Sequence, residues 1–436
     1  MFGLGIVEVA QAAHALADLP RDLDDAERID LIRDLETLKN AAAAAQAVAS
    51  VDFDKSQRAA QVAAHTPRRR VGEGIAAQIG LARRESPFRG ARQLALATTL
   101  TGQMPHTLNR MKRGELSEFR ASILIRETEC LDETDRRHID HTLCGPEATA
   151  PHLSDRALEH AAKKLALELD AHAVVAKAAK AEADRHVSIR PAPDTMTWLG
   201  ALLPVIHGVA VYAALKRAAD TARAGGDPRS RGQVMADTLV ERVTGATTTD
   251  PVRVNLDLVM TDRTFFDTSN EAAHLPGYGP VPAGWGRALA QDAVTGAQLW
   301  IRRLFTSPGT GCLVAMDSTA RLAPKGLARF ITRRDQDLCR TPWCGAPITQ
   351  IDHVTDWAHG GTTSATNTQG LCARCNLAKQ ALGWRAKTLP GSGRTRRHTV
   401  HTTTPTGHTY HSRAPPPPGH LDISSPLEQL LLDLTG

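Results

Sequence analysis

The sequence predicts an α+β multidomain protein: a mostly helical N-terminal domain with a small β-containing part, followed by a C-terminal module of strand, loop, strand and helix. Three observations carry this reading. Apolar residues recur at helical spacing from the start to about residue 183. Around residue 184 the period changes to strand-like alternation. Four of the seven cysteines then fall in one window as two pairs, Cys339/Cys344 and Cys372/Cys375. The expected boundaries are a helical domain over 1–183, its α+β continuation over 184–324, the small module over 325–388, and a Pro/His/Arg-rich tail with a short terminal helix over 389–436.

The helical part is punctuated by start signals. Asp24 and Glu27 stand at capping-box spacing, and Ile32, Leu35 and Leu38 then share one stripe. The alanines at 41–45 favour continuation of that helix. Ser86-Pro87 reads as an N-cap followed by a first-turn proline, and Ser117-Glu118 opens a further helix. The stretch from Ile79 to Thr98 could be a helix-turn-helix carrying Arg89 and Arg92 towards DNA, but any helix hairpin in a bundle gives the same pattern, which is the better reading.

In the continuation, HVSIRPAPDTMTWLGALLP reads as a hairpin across Pro191 to Asp194. A helix follows from Pro204 to Arg223, ending in a linker at Gly225-Gly226. VRVNLDLVM alternates from Val252 as a half-buried strand, and QLWIRRLFTSPGTGCLVAMD is another candidate hairpin. HLPGYGPVPAGWGRALAQ is a turn-rich loop entering a helix.

The cysteine window carries the chemistry. A tetrahedral zinc site takes thiolates two at a time from tight turns, with two to four residues between pair members. CRTPWC has four intervening residues and CARC has two, so both pairs comply and a structural Zn²⁺ is expected on Cys339, Cys344, Cys372 and Cys375. The 27 residues between the pairs leave room for a hairpin, with Gly360-Gly361 as its turn element. NLAKQAL then has helical character, with Gly383 as C-cap.

With CRTPWC, IDHV, HGGTTSATN and LCARCNLAK in place, the segment from Arg333 to Lys387 resembles an HNH nuclease module, the ββα-metal fold of homing and restriction endonucleases. The resemblance makes His353 the first histidine of the pattern and Asn367 the central asparagine, both catalytic. The last histidine of the pattern is replaced by Asn376, an H-N-N variant. A second resemblance covers roughly residues 20–320. ESPFRGARQLALATTL, LNRMKRGELSEFRASILIRET, RHVSIRPAPDTMTWLGALLP and GDPRSRGQVMADTLVERV are similar to the large helical domain of unknown function that precedes HNH modules in high-GC actinobacteria, often as repeated, mobile-element-associated copies. It implies company with a nuclease module and leaves that domain's own role open.

The residues suit phosphodiester hydrolysis, which needs an activated water on one side of phosphorus and a cation on the other. His353 can supply the base, since an unperturbed imidazole titrates near ~6.5. Asp352 is a hard oxygen donor for a catalytic Mg²⁺ or Mn²⁺, and Asn376, expected at the start of the helix, would complete the protein's share of the shell. Asn367 would tie the loop to the helix and hold the His353 ring. Lys379, on the same helix face as Asn376, and Arg374 are the candidate nucleic-acid contacts. Each has a plainer alternative. The cysteines alone would serve a structural zinc ribbon, Asn376 could be a helix N-cap, Lys379 a surface charge, and Asp356 and His359 a solvated loop. Trp343 and Trp384 read as packing around the zinc.

Composition frames the rest. Hydrophobic content of 42% is globular, and a formal net charge of +5 on 436 residues permits nucleic-acid binding without demanding it. The N-terminus lacks a signal-peptide pattern and no stretch approaches a membrane span, so no membrane contact and a cytoplasmic location are expected. Cys130, Cys144 and Cys312 are scattered without a disulfide framework, which agrees. From Pro390 the chain carries four arginines and five histidines before its first acid, Asp422. That tail reads as extended or disordered, with RRHTVHTTTPTGHTYH alternating enough to form an edge hairpin on the module instead. PLEQLLLDLTG closes as a short amphipathic helix. The expected activity is metal-dependent cleavage of nucleic acid, with double-stranded DNA as the expected substrate. A nucleic-acid-binding or structural protein with a decayed module is the alternative, and the sequence does not specify oligomeric state.

Overall fold

A computed structural model describes residues 5–19, 21–148, 150–245, 257–266, 269–295, 322–389 and 397–416. It divides into two compact units, Met1–Lys55 with Gln93–Val175, and Ser56–Arg92 with Ala176–Gly436.

The helices are, in order, α1 (Ile6–Ala15), α2 (Asp25–Ala63), α3 (Ile75–Ala82), α4 (Pro87–Gln103), α5 (Pro105–Lys112), α6 (Glu118–Thr128), α7 (Glu133–Cys144), α8 (Asp155–Leu169) and α9 (Ala171–Ala183). The capping box closes as its spacing requires: Asp24 N–H donates to Glu27 Oε2 and Glu27 N–H to Asp24 Oδ1, both at 2.8 Å. Ser86 and Ser117 cap α4 and α6 by accepting from the N–H of Arg89 and Arg120. In the first unit one core gathers Ala44, Ala47 and Val51 of α2, Leu100 of α4, Met111 of α5, Leu124 of α6, Ile139 of α7 and Leu158 of α8. The Asp140 carboxylate is fully buried there, accepting from the N–H of His106 and Thr107 and from the Thr107 hydroxyl at 2.6–2.8 Å, so α7 caps the start of α5.

In the second unit, β1 (His186–Ala192) and β2 (Met196–Leu202) form the expected antiparallel hairpin, and α10 (Val205–Ala224) ends at Gly225. α11 (Arg231–Thr244) and a short α12 (Asp262–Phe266) follow. The turn-rich segment holds a small hairpin, β3 (Ala273–Leu275) with β4 (Gly279–Val281), before α13 (Ala283–Thr295). The start of the VRVNLDLVM strand, the 298–317 hairpin and the terminal PLEQLLLDLTG helix lie outside the described residues.

The C-terminal module opens with α14 (Lys325–Arg334). An antiparallel ribbon of β5 (Gln350–His353) and β6 (Thr368–Leu371) then leads into α15 (Ala373–Lys379). The expected order of strand, loop, strand and helix is present. Within the expected tail, residues 397–413 form the hairpin that their alternation allowed: β8 (Thr399–Thr403) pairs with β9 (Thr409–Arg413) and, on its other side, with β7 (Arg385–Leu389), giving a three-stranded antiparallel sheet. One buried carboxylate pins these pieces together. Asp335 pairs with Arg334 and Arg340 at 2.8 and 2.9 Å and accepts from the Gly370 N–H, while Arg340 also donates to the carbonyls of His398 and Ser412. Burial alone would raise its pKa; the two guanidinium groups hold it below the usual carboxylate range.

Within the same unit, residues 66–92 meet the module. Arg70 Nη2 donates to the Gln380 carbonyl at 2.8 Å, Thr406 Oγ1 to Gln78 Oε1 at 3.2 Å, and Trp384 lies against Gly74. No described helix is long and apolar enough to cross a membrane.

Candidate metal centre and nuclease site

The two cysteine pairs converge. Sγ atoms of Cys339, Cys344, Cys372 and Cys375 all lie within 4.8 Å of one another, with Cys344 3.8 Å from Cys372 and 3.5 Å from Cys375. A tetrahedron with Zn–S bonds of about 2.3 Å has S–S edges of about 3.8 Å, so the four sulfurs stand close to the spacing that one zinc ion needs. Hydrogen bonds from Cys344 and Cys375 lower the pKa of Cys339, and the same contacts raise those of Cys344 and Cys375. A bound dication would let such thiols ionise together. Leu371 and Ala346 pack beside the sulfurs. Trp343 and Trp384 are not part of that packing: Trp343 is 50% exposed and meets Tyr410 edge-on, and Trp384 lies against Gly74.

β5 carries Asp352 and His353 to its end, and strand alternation sends them to opposite sides. The His353 imidazole Nε2 lies 2.8 Å from Thr363 Oγ1, a hydroxyl on the returning loop. That loop is clamped by Asn367, whose Oδ1 accepts from the Thr355 N–H at 2.9 Å and whose Nδ2 donates to the carbonyls of Thr355 and Thr362 at 3.0 and 2.9 Å. Gly360 takes the left-handed turn at φ +82°, and a Cβ on Gly361 would collide with the Thr355 carbonyl.

The other side of β5 packs on α15 in register. Gln350 and Asp352, two apart on the strand, meet Asn376 and Lys379, three apart on the helix. Asn376 Nδ2 donates to Gln350 Oε1 at 2.6 Å, and its own Oδ1 accepts from Gln380 at 3.3 Å. Asn376 is the fourth helical residue and not an N-cap, since α15 starts three residues earlier and Cys372 occupies the cap with its sulfur accepting from the Cys375 N–H. Lys379 is not a surface charge. Its side chain is 9% exposed and its ammonium reaches the His353 carbonyl at 2.5 Å, Asp356 Oδ1 at 2.7 Å and Asp352 Oδ2 at 2.9 Å. Burial raises the Asp352 pKa above the usual carboxylate range, and Lys379 only partly offsets this. Arg374 is exposed on α15 with its guanidinium 5.3 Å over the Phe88 ring. Thr363, Gln350 and the Asp335 cluster carry no spacing signal in the sequence; they are visible only once β5 and β6 are paired.

Residues 32–335, more than two thirds of the chain, match the family model described as domain of unknown function (DUF222). The chain belongs to the DUF222 family. In this DUF222 protein a second match follows, to HNH endonuclease over residues 339–382, which spans all four cysteines, His353, Asn367, Asn376 and Lys379. Neither a curated protein nor a solved structure matches the chain. The DUF222 protein therefore carries an HNH endonuclease domain with a four-cysteine cluster suited to structural zinc.

A hard divalent ion has a donor to meet at Asp352. Its Oδ2 is buried, faces the Lys379 ammonium off the hydrogen-bonding angle, and accepts no hydrogen bond among the described residues. A carboxylate oxygen in that condition fits a metal ligand, with Lys379 supplying the compensating charge in its stead.

Proposed function

We propose that this DUF222 protein is a metal-dependent endonuclease that hydrolyses phosphodiester bonds of double-stranded DNA, with His353 as the general base. The observation that carries the reading is the placement of His353. It ends a strand inside the HNH match, bonded through Nε2 to Thr363 and bordered by a loop that Asn367 fixes at both ends. A base held by its neighbours loses little freedom when substrate arrives, which is the condition for efficient proton transfer. His353 takes the proton of the attacking water, and Asn367 is a positioning residue that keeps the loop and the ring in place. A Mg²⁺ or Mn²⁺ held by Asp352 and Asn376 would supply positive charge to the scissile phosphate and the leaving 3′ oxygen. Arg374, exposed beside the site, and Lys379 contact the phosphate backbone.

The second reading, a nucleic-acid-binding or structural protein with a decayed module, has its own support. Lys379 already neutralises Asp352, and the Asn376 amide is engaged by Gln350. Plasmid and duplex oligonucleotides incubated with the protein across Mg²⁺, Mn²⁺ and Zn²⁺ separate the two. The nuclease reading expects nicking or cleavage with Mg²⁺ or Mn²⁺; DNA binding with no cleavage under any ion hands the case to the second.

A further inference from the structure

We infer that Asp352, Asp356 and the His353 carbonyl together form a divalent-cation site that the Lys379 ammonium holds closed. The inference rests on the reading of Asp352 as a metal ligand and adds Asp356 and the role of Lys379 to it.

Three oxygens converge on one nitrogen: His353 O at 2.5 Å, Asp356 Oδ1 at 2.7 Å and Asp352 Oδ2 at 2.9 Å. Two of the ammonium's three N–H donors go to the His353 carbonyl and Asp356 Oδ1, and its charge also faces Asp352 Oδ2, so the lysine is turned inward in this state. Two carboxylates and a carbonyl are hard donors of the kind that Mg²⁺ and Mn²⁺ take. One Lys leaves the two carboxylates with a net negative charge, whereas a dication would balance them. A buried pair serving stability alone would match one acid to one base; here a second acid is brought to the same ammonium.

The backbone that carries the two carboxylates is fixed without the lysine. Asp352 is fixed by its strand register opposite Gln369, and the Asp356 carbonyl accepts from the N–H of His359 and Gly361 at 2.9 and 3.1 Å. Asn367 clamps the adjacent Thr355. The lysine is the adjustable member, a compact charge on a four-carbon stem. The Lys379 side chain is 9% exposed, but the Asp356 side chain is 46% exposed, so the site opens to solvent on that edge. A nucleic-acid phosphate arriving there competes for the ammonium, and drawing Lys379 out leaves the three oxygens for a divalent ion. Nucleic acid and metal then bind with positive coupling.

The experiment is a Mn²⁺ titration of the full chain without nucleic acid, followed by electron paramagnetic resonance, on wild type, Lys379→Met and Lys379→Met/Asp356→Asn. Zinc content is measured in each. Lys379→Met should bind one Mn²⁺ at least about tenfold more tightly than wild type, since a like charge about 3 Å from the ion is gone. The double variant should lose that gain. Equal affinity of wild type and Lys379→Met, or a double variant as tight as the single one, overturns the inference. If Lys379→Met fails to fold without metal, Mn²⁺ should restore its fold where the same ionic strength of KCl does not, and failure of that rescue also overturns it. Because no cleavage is read, the two proposals fail separately. An inactive wild type whose Lys379→Met variant gains Mn²⁺ sinks only the nuclease reading, and an active wild type without that gain sinks only this one.

Discussion

His398 illustrates what a single residue does in the module. It is 9% exposed, its Nε2 donates to the Thr366 carbonyl at 3.0 Å, and burial with Arg334 and Arg340 nearby pushes its pKa down to about 3. The folded protein therefore favours the neutral ring, and the stabilisation is present above the unfolded value near ~6.5 and is lost as pH falls towards about 3. Each pH unit across that window is worth about 1.4 kcal/mol, so several kcal/mol are at stake. His398→Gln keeps an N–H donor but cannot titrate, so its thermal stability should fall less steeply than wild type between about pH 6 and 4; parallel curves would contradict this. The cysteines were legible as residues because metal spacing is a local property. Asp335 was not: the Gly370 N–H that it accepts from stands 35 residues on and reaches it only once β6 is in place.

At the scale of elements, the hairpin between β5 and β6 stands on Asn367. Its three side-chain hydrogen bonds to Thr355 and Thr362 replace the backbone pairing that the loop lacks. Asn367→Ala leaves these exposed groups to water and should cost about 1 kcal/mol or more of module stability, lowering cleavage through a displaced His353 while zinc is retained. Chemical denaturation with zinc analysis checks it, and an unchanged midpoint would refute the clamp. Helix starts at Asp24, Ser86 and Ser117 were readable because a cap is written in four residues. The start of α15 was not, since a cysteine sulfur takes the cap and Asn376, a better cap by type, is used to meet Gln350. The tail sheet was readable as an option only, because a two-stranded edge needs β7 to become stable.

For the whole molecule, the DUF222 match and the nuclease match are sequential in the chain, yet Ser56–Arg92 falls in the same compact unit as the HNH domain. No local pattern announces contacts such as Arg70 with the Gln380 carbonyl, which join residues 310 positions apart. Gly74 tests that packing: at φ +79° a Cβ would come within 2.6 Å of Trp384 Nε1 and 2.8 Å of Ala381 Cβ. Gly74→Val should destabilise this unit by about 2 kcal/mol or more from backbone strain and overlap, read as a lower melting temperature, with a neutral effect contradicting the contact. On the proposed reading, the C-terminal domain divides its work between a four-cysteine cluster suited to structural zinc and a His353 site to which the chemistry is assigned. The most direct test measures zinc content and Mg²⁺- or Mn²⁺-dependent DNA cleavage on the same preparations of wild type, His353→Ala and Cys375→Ser. This division predicts zinc without cleavage in His353→Ala, and loss of zinc, folded stability and cleavage together in Cys375→Ser. Cleavage by His353→Ala at the wild-type rate would contradict it.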